Sequence, residues 1–171
     1  MKKITIVFAA LAIAIGVKAS NPLPNSYPLE APNSVTVDAA KVTYKVNAAF
    51  ANKFKKAQNV TWRTVEDFYF ANFELNSNNY SVAYSAQGDM LALSRIIPAS
   101  QLPLAVVSSL EERFAGYKIP NNVTEIVMQG STNYYLTAEG ATRLLQLKCS
   151  TDGTVSVEKK IKKKILVGSV S

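Results

Sequence analysis

The chain has 171 residues, 48% of them hydrophobic and 18% charged, with a net charge of +7 and no histidine. That length is enough for one compact domain with a substantial core. The absence of histidine removes the commonest general base, the usual partner of a serine or cysteine nucleophile, and the commonest metal ligand. A lone cysteine, Cys149, excludes an intramolecular disulfide, so the core alone must hold the fold.

In chain order, Lys2-Lys3, an apolar run from Ile4 to Val17 and the Val17-Lys18-Ala19 triplet form a secretory signal peptide, residues 1–19, with cleavage after Ala19. The apolar run is shorter than the ~20 residues a spanning helix needs, so no integral membrane span is expected after cleavage. No cysteine stands at the cleavage point. The expectation is an exported protein, periplasmic or extracellular, that is not a lipoprotein. Removing Lys2, Lys3 and Lys18 lowers the charge from +7 to +4, and five of the remaining lysines are Lys159, Lys160, Lys162, Lys163 and Lys164. The positive charge therefore reads as a terminal feature. A nucleic-acid surface would interleave basic and stacking aromatic residues, so no nucleic acid is expected as a partner. The lysine cluster suits the blunting of a last strand's edge, with attraction to an anionic envelope surface as its secondary use. Residues 20–40 carry Pro22, Pro24, Pro28 and Pro32 and are expected to be an extended lead-in, the folded part beginning around Val35 to Thr43.

Val46, Ala49, Phe50 and Phe54 recur at helical spacing, with Asn47, Asn52, Lys53 and Lys55 opposite, which predicts a first helix. A short strand around Asn59-Val60-Thr61-Trp62 follows, and Trp62 suits either a core anchor or a recognition residue. From Phe68 to Leu75 the residues alternate, with Tyr69, Ala71, Phe73 and Leu75 on one face and Phe68, Phe70, Asn72 and Glu74 on the other. After a hairpin at 76–79, Tyr80, Val82 and Tyr84 point inward and Ser81, Ala83 and Ser85 outward. Gln87-Gly88-Asp89 makes the next turn, and a strand runs from Met90 to Arg95.

The second half repeats the first. Val106, Leu110 and Phe114 restate positions 46, 50 and 54 at an offset of 60, after Pro98 and Pro103 announce a helix start. Asn122-Val123-Thr124 restates Asn59-Val60-Thr61 at 63. At 65, Tyr134, Leu136 and Ala138 take the apolar face of a strand while Tyr135, Thr137 and Glu139 take the other. Leu145, Leu147 and Cys149 then point inward and Gln146, Lys148 and Ser150 outward, before a turn at Thr151-Asp152-Gly153 and a strand from Thr154 to Lys160. Drift confined to the connections marks two copies of one unit, at about 42–97 and 98–161. The expected class is α+β: two tandem helix-plus-antiparallel-sheet units forming one curved sheet with helices on one face. Cys149 is expected to be a buried, inert thiol.

Phe54, Asn59-Val60-Thr61-Trp62, Phe68-Tyr69-Phe70-Ala71-Asn72-Phe73 and Tyr80-Ser81-Val82-Ala83-Tyr84 before Gly88 resemble the PepSY-like, or β-lactamase-inhibitor-like, domain of secreted proteins from Bacteroidetes-type bacteria. Leu102-Pro103, Val106, Leu110, Gly116-Tyr117-Lys118-Ile119 and Tyr134-Tyr135 extend the resemblance over about residues 44–160, within an expected domain of 41–165. The resemblance implies an architecture similar to the β-lactamase inhibitory protein, whose concave sheet face grips a partner protein. It also implies kinship with PepSY domains associated with restraining peptidases. By position it makes Trp62, Phe68, Phe70, Asn72, Glu74, Tyr135, Thr137 and Glu139 the candidate protein-binding face.

No catalytic signature competes with that reading. Glu66-Asp67 and Glu111-Glu112 suit solvated surface, and Ser156-Val157-Glu158-Lys159 matches a Ser-x-x-Lys pattern only on a strand, where the two side chains point to opposite faces. No glycine loop is built to cradle phosphate. Asn59, Asn79 and Asn122 begin Asn-x-Ser/Thr sequons, which would matter in a eukaryotic secretory pathway; with the bacterial resemblance, two of them read as turn chemistry repeated with the unit. The expected function is a non-enzymatic exported binding module, without cofactor or metal, that holds a protein or peptide in the cell envelope on an exposed antiparallel sheet face. Inhibition of a peptidase or other hydrolase is its sharpest form. The alternative is a structural or self-assembling cell-envelope protein. A monomer is expected for the first and concentration-dependent association for the second.

Overall fold

A computed structural model of the protein describes residues 35–163. The expected signal peptide, residues 20–34 of the lead-in, and Lys164 lie outside the described residues. The described residues divide into two compact units, 35–91 and 92–163.

The first unit opens with strand β1 (Val35–Val37), a 3-10 turn at Ala39–Lys41 and helix α1 (Tyr44–Lys53), followed by β2 (Gln58–Val65), β3 (Phe68–Leu75) and β4 (Asn78–Ser85). The end of the expected lead-in is therefore a strand: Val35, Thr36 and Val37 pair antiparallel with Thr64, Arg63 and Trp62. Helix α1 starts where Thr43 Oγ1 accepts the Val46 amide, satisfying one of the orphan donors of the first turn. Phe50 of this helix and Phe54, which caps its C-terminus, meet Trp62 and Phe73 from the sheet, with ring centroids 5.2 Å apart for Phe50 and Trp62, 5.1 Å for Phe50 and Phe73, and 4.6 Å for Phe54 and Phe73. Tyr80 stacks on Phe73 at 5.6 Å. The edge and tilted geometries let each ring present its positive rim to a neighbour's face, which adds to burial.

The second unit takes most of β5 (Met90–Pro98), then a 3-10 turn at Ala99–Gln101, helix α2 (Leu104–Arg113), β6 (Asn122–Met128), β7 (Ser131–Glu139), β8 (Arg143–Ser150) and β9 (Val155–Lys162). Strand β5 pairs antiparallel with β6 from Ala92 to Pro98, and β6-β7, β7-β8 and β8-β9 follow in chain order. Here the core is mainly aliphatic: Val106 and Leu110 of α2 pack with Val123, Leu136, Leu145, Leu147 and Cys149, and Phe114 and Tyr134 join them. Pro103 stands immediately before α2, where its missing amide proton costs nothing.

The hairpins are short because their turn residues accept the left-handed region. Asn76 (φ 51°) and Ser77 (φ 61°) join Leu75 to Asn78, and Gln129 (φ 51°) and Gly130 (φ 77°) join Met128 to Ser131. A tighter constraint acts at Gly88 (φ 89°) and Gly153 (φ 88°). Each turn runs under the first turn of its unit's helix, so that a Cβ would lie 2.9 Å from the Lys45 carbonyl oxygen at Gly88 and 2.7 Å from the Ala105 carbonyl oxygen at Gly153. The glycines noted as turn markers in the sequence are thus also helix-docking points.

Candidate functional site

The two faces of each unit's strands differ in what covers them. On β3, Ala71 and Phe73 turn toward α1, and Phe68, Phe70, Asn72 and Glu74 take the opposite side, as strand alternation requires. Trp62 lies directly across from Ala71 in register and packs against Phe50, with only 4% of its surface exposed. It is a core anchor on the helix side, which removes it from the expected binding face. The reason is register: a residue opposite Ala71 must share that residue's face.

Phe70 also departs from expectation. It does lie on the side away from α1, between Arg63 and Ala83 in register, yet it is 4% exposed. A ring so covered is a packing element in this structure and not an open contact. Phe68 is half-buried. Asn72 is tied across the strand pair by the Ser81 hydroxyl, which donates to its Oδ1. Glu74 accepts from Asn59 Nδ2 at 3.2 Å, and Asn59 adopts φ 53°. The outward face of the first unit is therefore a half-buried polar strip with an aromatic at one end.

In the second unit, Tyr135 and Thr137 are half-buried on the side of β7 away from α2, and Glu139 is exposed. Burial raises the Tyr135 phenol above its ordinary range, with the nearby Glu158 carboxylate adding to the shift. Glu139 is held below the usual carboxylate range by a hydrogen bond from Lys163, by that ammonium's charge, and by Lys118. Across from Tyr135 stands Thr124, and across from Thr137 stands Gln146, respectively 1% and 5% exposed. The Gln146 Nε2 is buried and has no hydrogen-bond partner among the described residues. Thr124 and Gln146 had been read from the sequence only as a triplet member and an outward residue; alternation gave the side they face but not their burial.

Opposite this polar strip, Cys149 is fully buried on the α2 side, and burial pushes its thiol up to about 11. In the first unit burial pushes the Tyr84 phenol up to about 12. Both groups resist ionisation when folded and ionise at about 9 and 10 when exposed. Each therefore contributes stability that is intact below its unfolded pKa and erodes as pH rises from there to the folded value. Urea midpoints should hold steady to about pH 9 and fall from there to about pH 12. Cys149→Ala should remove the part of that slope between 9 and 11, about 3 kcal/mol in all. A thiol reagent that labels Cys149 rapidly in the native protein at pH 7 would contradict the burial.

No family model matches the chain, and no curated protein matches it. Solved structures do. A BLIP-like protein from Bacteroides fragilis aligns over 74% of this chain and 91% of its own, with a TM-score of 0.61 and 18% identity. A DUF2874 family protein from Bacteroides uniformis aligns over 70% and 88%, also with a TM-score of 0.61 and 18% identity. A further Bacteroides eggerthii protein, described as expected in the periplasm, gives 0.61 at 15% identity over 71% and 88%. Among the described residues no helix is long and apolar enough to cross a membrane. The chain thus has the fold of BLIP-like and DUF2874 proteins of Bacteroides.

Proposed function

We propose that the protein is a non-enzymatic, exported binding module that holds a protein or peptide on the sheet side away from the helices. The observation that carries this reading is the outward strip of the second unit. There Tyr135 and Thr137 stand half-buried beside a buried Gln146 amide with an unused donor. A buried donor without a partner costs about 1–3 kcal/mol, and a partner's carbonyl oxygen would recover it once the side chains over Gln146 move aside. Tyrosine beside such a donor supplies the amphipathic ring common at interface centres. The fold shared with a BLIP-like protein and the resemblance to PepSY-like domains support the same use of a sheet face. The corresponding cross-strand pairs Asn72 and Ser81, and Thr137 and Gln146, support a duplicated unit, since both lie at an offset of 65 and face outward. Periplasmic residence fits the N-terminal signal pattern and the description of the Bacteroides eggerthii structure.

Affinity capture from the producing cell's envelope fraction, followed by mass spectrometry, tests the proposal. One stoichiometric partner is expected, and Tyr135→Ala should weaken its binding by about 30-fold, equivalent to a ~2 kcal/mol hot spot, while thermal unfolding changes little. Recovery of the bait alone, or equal binding by the Tyr135→Ala protein, would instead favour a self-assembling envelope role.

A further inference from the structure

We propose that the end of the second unit at the β7-β8 connection is a docking surface for an anionic lipid bilayer. The sequence places three of the relevant cations, Lys160, Lys162 and Lys163, in one short run, but the fold adds two from distant segments. Arg143 at the start of β8 stands directly across from Lys162 on β9. Lys118, from the segment between α2 and β6, exchanges both backbone hydrogen bonds with Glu139, at 2.8 and 2.9 Å. The Lys163 amide donates to the Thr142 carbonyl at 3.0 Å. At this hairpin end Arg143, Lys160 and Lys162 thereby lie on the α2 side of the strands, in register with Leu145 and its neighbours, and Lys118 and Lys163 on the Glu139 side.

The acidic complement is small. Glu139 forms an ion pair with Lys163 at 2.5 Å and also feels Lys118. Glu158 is engaged by the Ser156 hydroxyl at 2.7 Å and lies toward Tyr135. Lys118, Arg143, Lys160 and Lys162 are exposed and form no ion pair among the described residues. Like charges directly opposite on neighbouring strands destabilise a sheet, as Arg143 and Lys162 must here. An external anionic layer converts that repulsion into attraction. The cations sit on open positions around the hairpin end instead of converging on a buried polar group, so they offer charge density without a shaped cradle. A bilayer surface, which presents many negative charges and demands no register, matches that arrangement. Lys118, Lys163 and Glu139 border the Tyr135 strip on its own side of β7, but Arg143, Lys160 and Lys162 lie on the other side, so the proposal does not depend on Tyr135.

Flotation of the purified protein with vesicles of phosphatidylcholine containing 30% phosphatidylglycerol, against pure phosphatidylcholine, tests the proposal. Binding only to the anionic vesicles is expected at low salt, as is its loss at high ionic strength through screening. Each surface cation is worth about fivefold. The triple variant Arg143→Gln/Lys160→Gln/Lys162→Gln should therefore bind roughly 100-fold more weakly. Its thermal stability should be equal or higher, because the Arg143 and Lys162 repulsion is gone. Tyr135→Ala should bind vesicles like the wild type, which separates this proposal from the sheet-face reading. Equal binding to both vesicle types, no binding to anionic vesicles, an unaffected triple variant, or binding confined to soluble polyphosphate would each overturn it.

Discussion

Trp62→Ala should cost about 3–5 kcal/mol of folding stability, a large share of the roughly 5–15 kcal/mol that a domain of this size has in total. The indole is 4% exposed and meets Phe50 edge-on at 5.2 Å, and Phe50 in turn touches Phe54 and Phe73. Truncation removes transfer energy and leaves a void in a cluster whose remaining rings are held by α1 and β3 and cannot simply close over it. Chemical denaturation of the variant should show a much lower midpoint. Trp62→Phe should recover part of the loss, because it restores a ring at the same place. Unchanged stability with impaired partner binding would return Trp62 to the recognition face, contrary to its register opposite Ala71.

Gly153→Ala is expected to cost about 3 kcal/mol from two additive sources. A side chain at φ 88° is strained by roughly 1–3 kcal/mol. The new Cβ would also lie 2.7 Å from the Ala105 carbonyl oxygen and 3.1 Å from Ser109 Oγ, so the turn or the start of α2 must move. Gly88→Ala should behave alike against Lys45 in the first unit, with a slightly longer 2.9 Å approach. Gly130→Ala is the control: its φ is 77°, yet nothing lies within 4 Å of the added Cβ. Thermal melts of the three variants separate dihedral strain from helix displacement. If Gly153→Ala is no worse than Gly130→Ala, the close turn-helix contact is not a constraint.

Much of the secondary structure could be read directly because period alone distinguishes its parts. The 46-50-54 and 106-110-114 stripes became α1 and α2, with Val46, Phe50, Val106 and Leu110 buried. The alternation from 68 to 75 became β3, and the inward set Leu145, Leu147 and Cys149 is the buried side of β8. Strand β1 was harder to see: three residues at the end of a proline-rich segment have too little pattern of their own, and their pairing depends on the partner edge at Trp62 to Thr64.

The candidate face was legible only as a set of directions. Alternation fixed the side on which Phe68, Asn72, Glu74, Tyr135, Thr137 and Glu139 lie, because consecutive Cβ atoms on a strand must oppose. It could not place Trp62, whose own strand has a register irregularity between Gln58 and Thr61 that breaks any counting from the Asn-Val-Thr triplet. Nor could it foresee that Phe70 is covered or that Gln146 is buried with a spare donor.

The lysines show the same division. Their clustering between 159 and 164 is a property of the sequence. The addition of Arg143 and Lys118, and the single carboxylate of Glu139 set among them, were decided by strand pairing and by the Lys118 bridge. The sequence by itself determined the helices, the facing of β3, β4, β7 and β8 and the residues available for chemistry, since these follow from local period and side-chain identity. Tertiary structure alone decided which outward residues stay open and which distant charges meet, because burial and proximity depend on partners far along the chain.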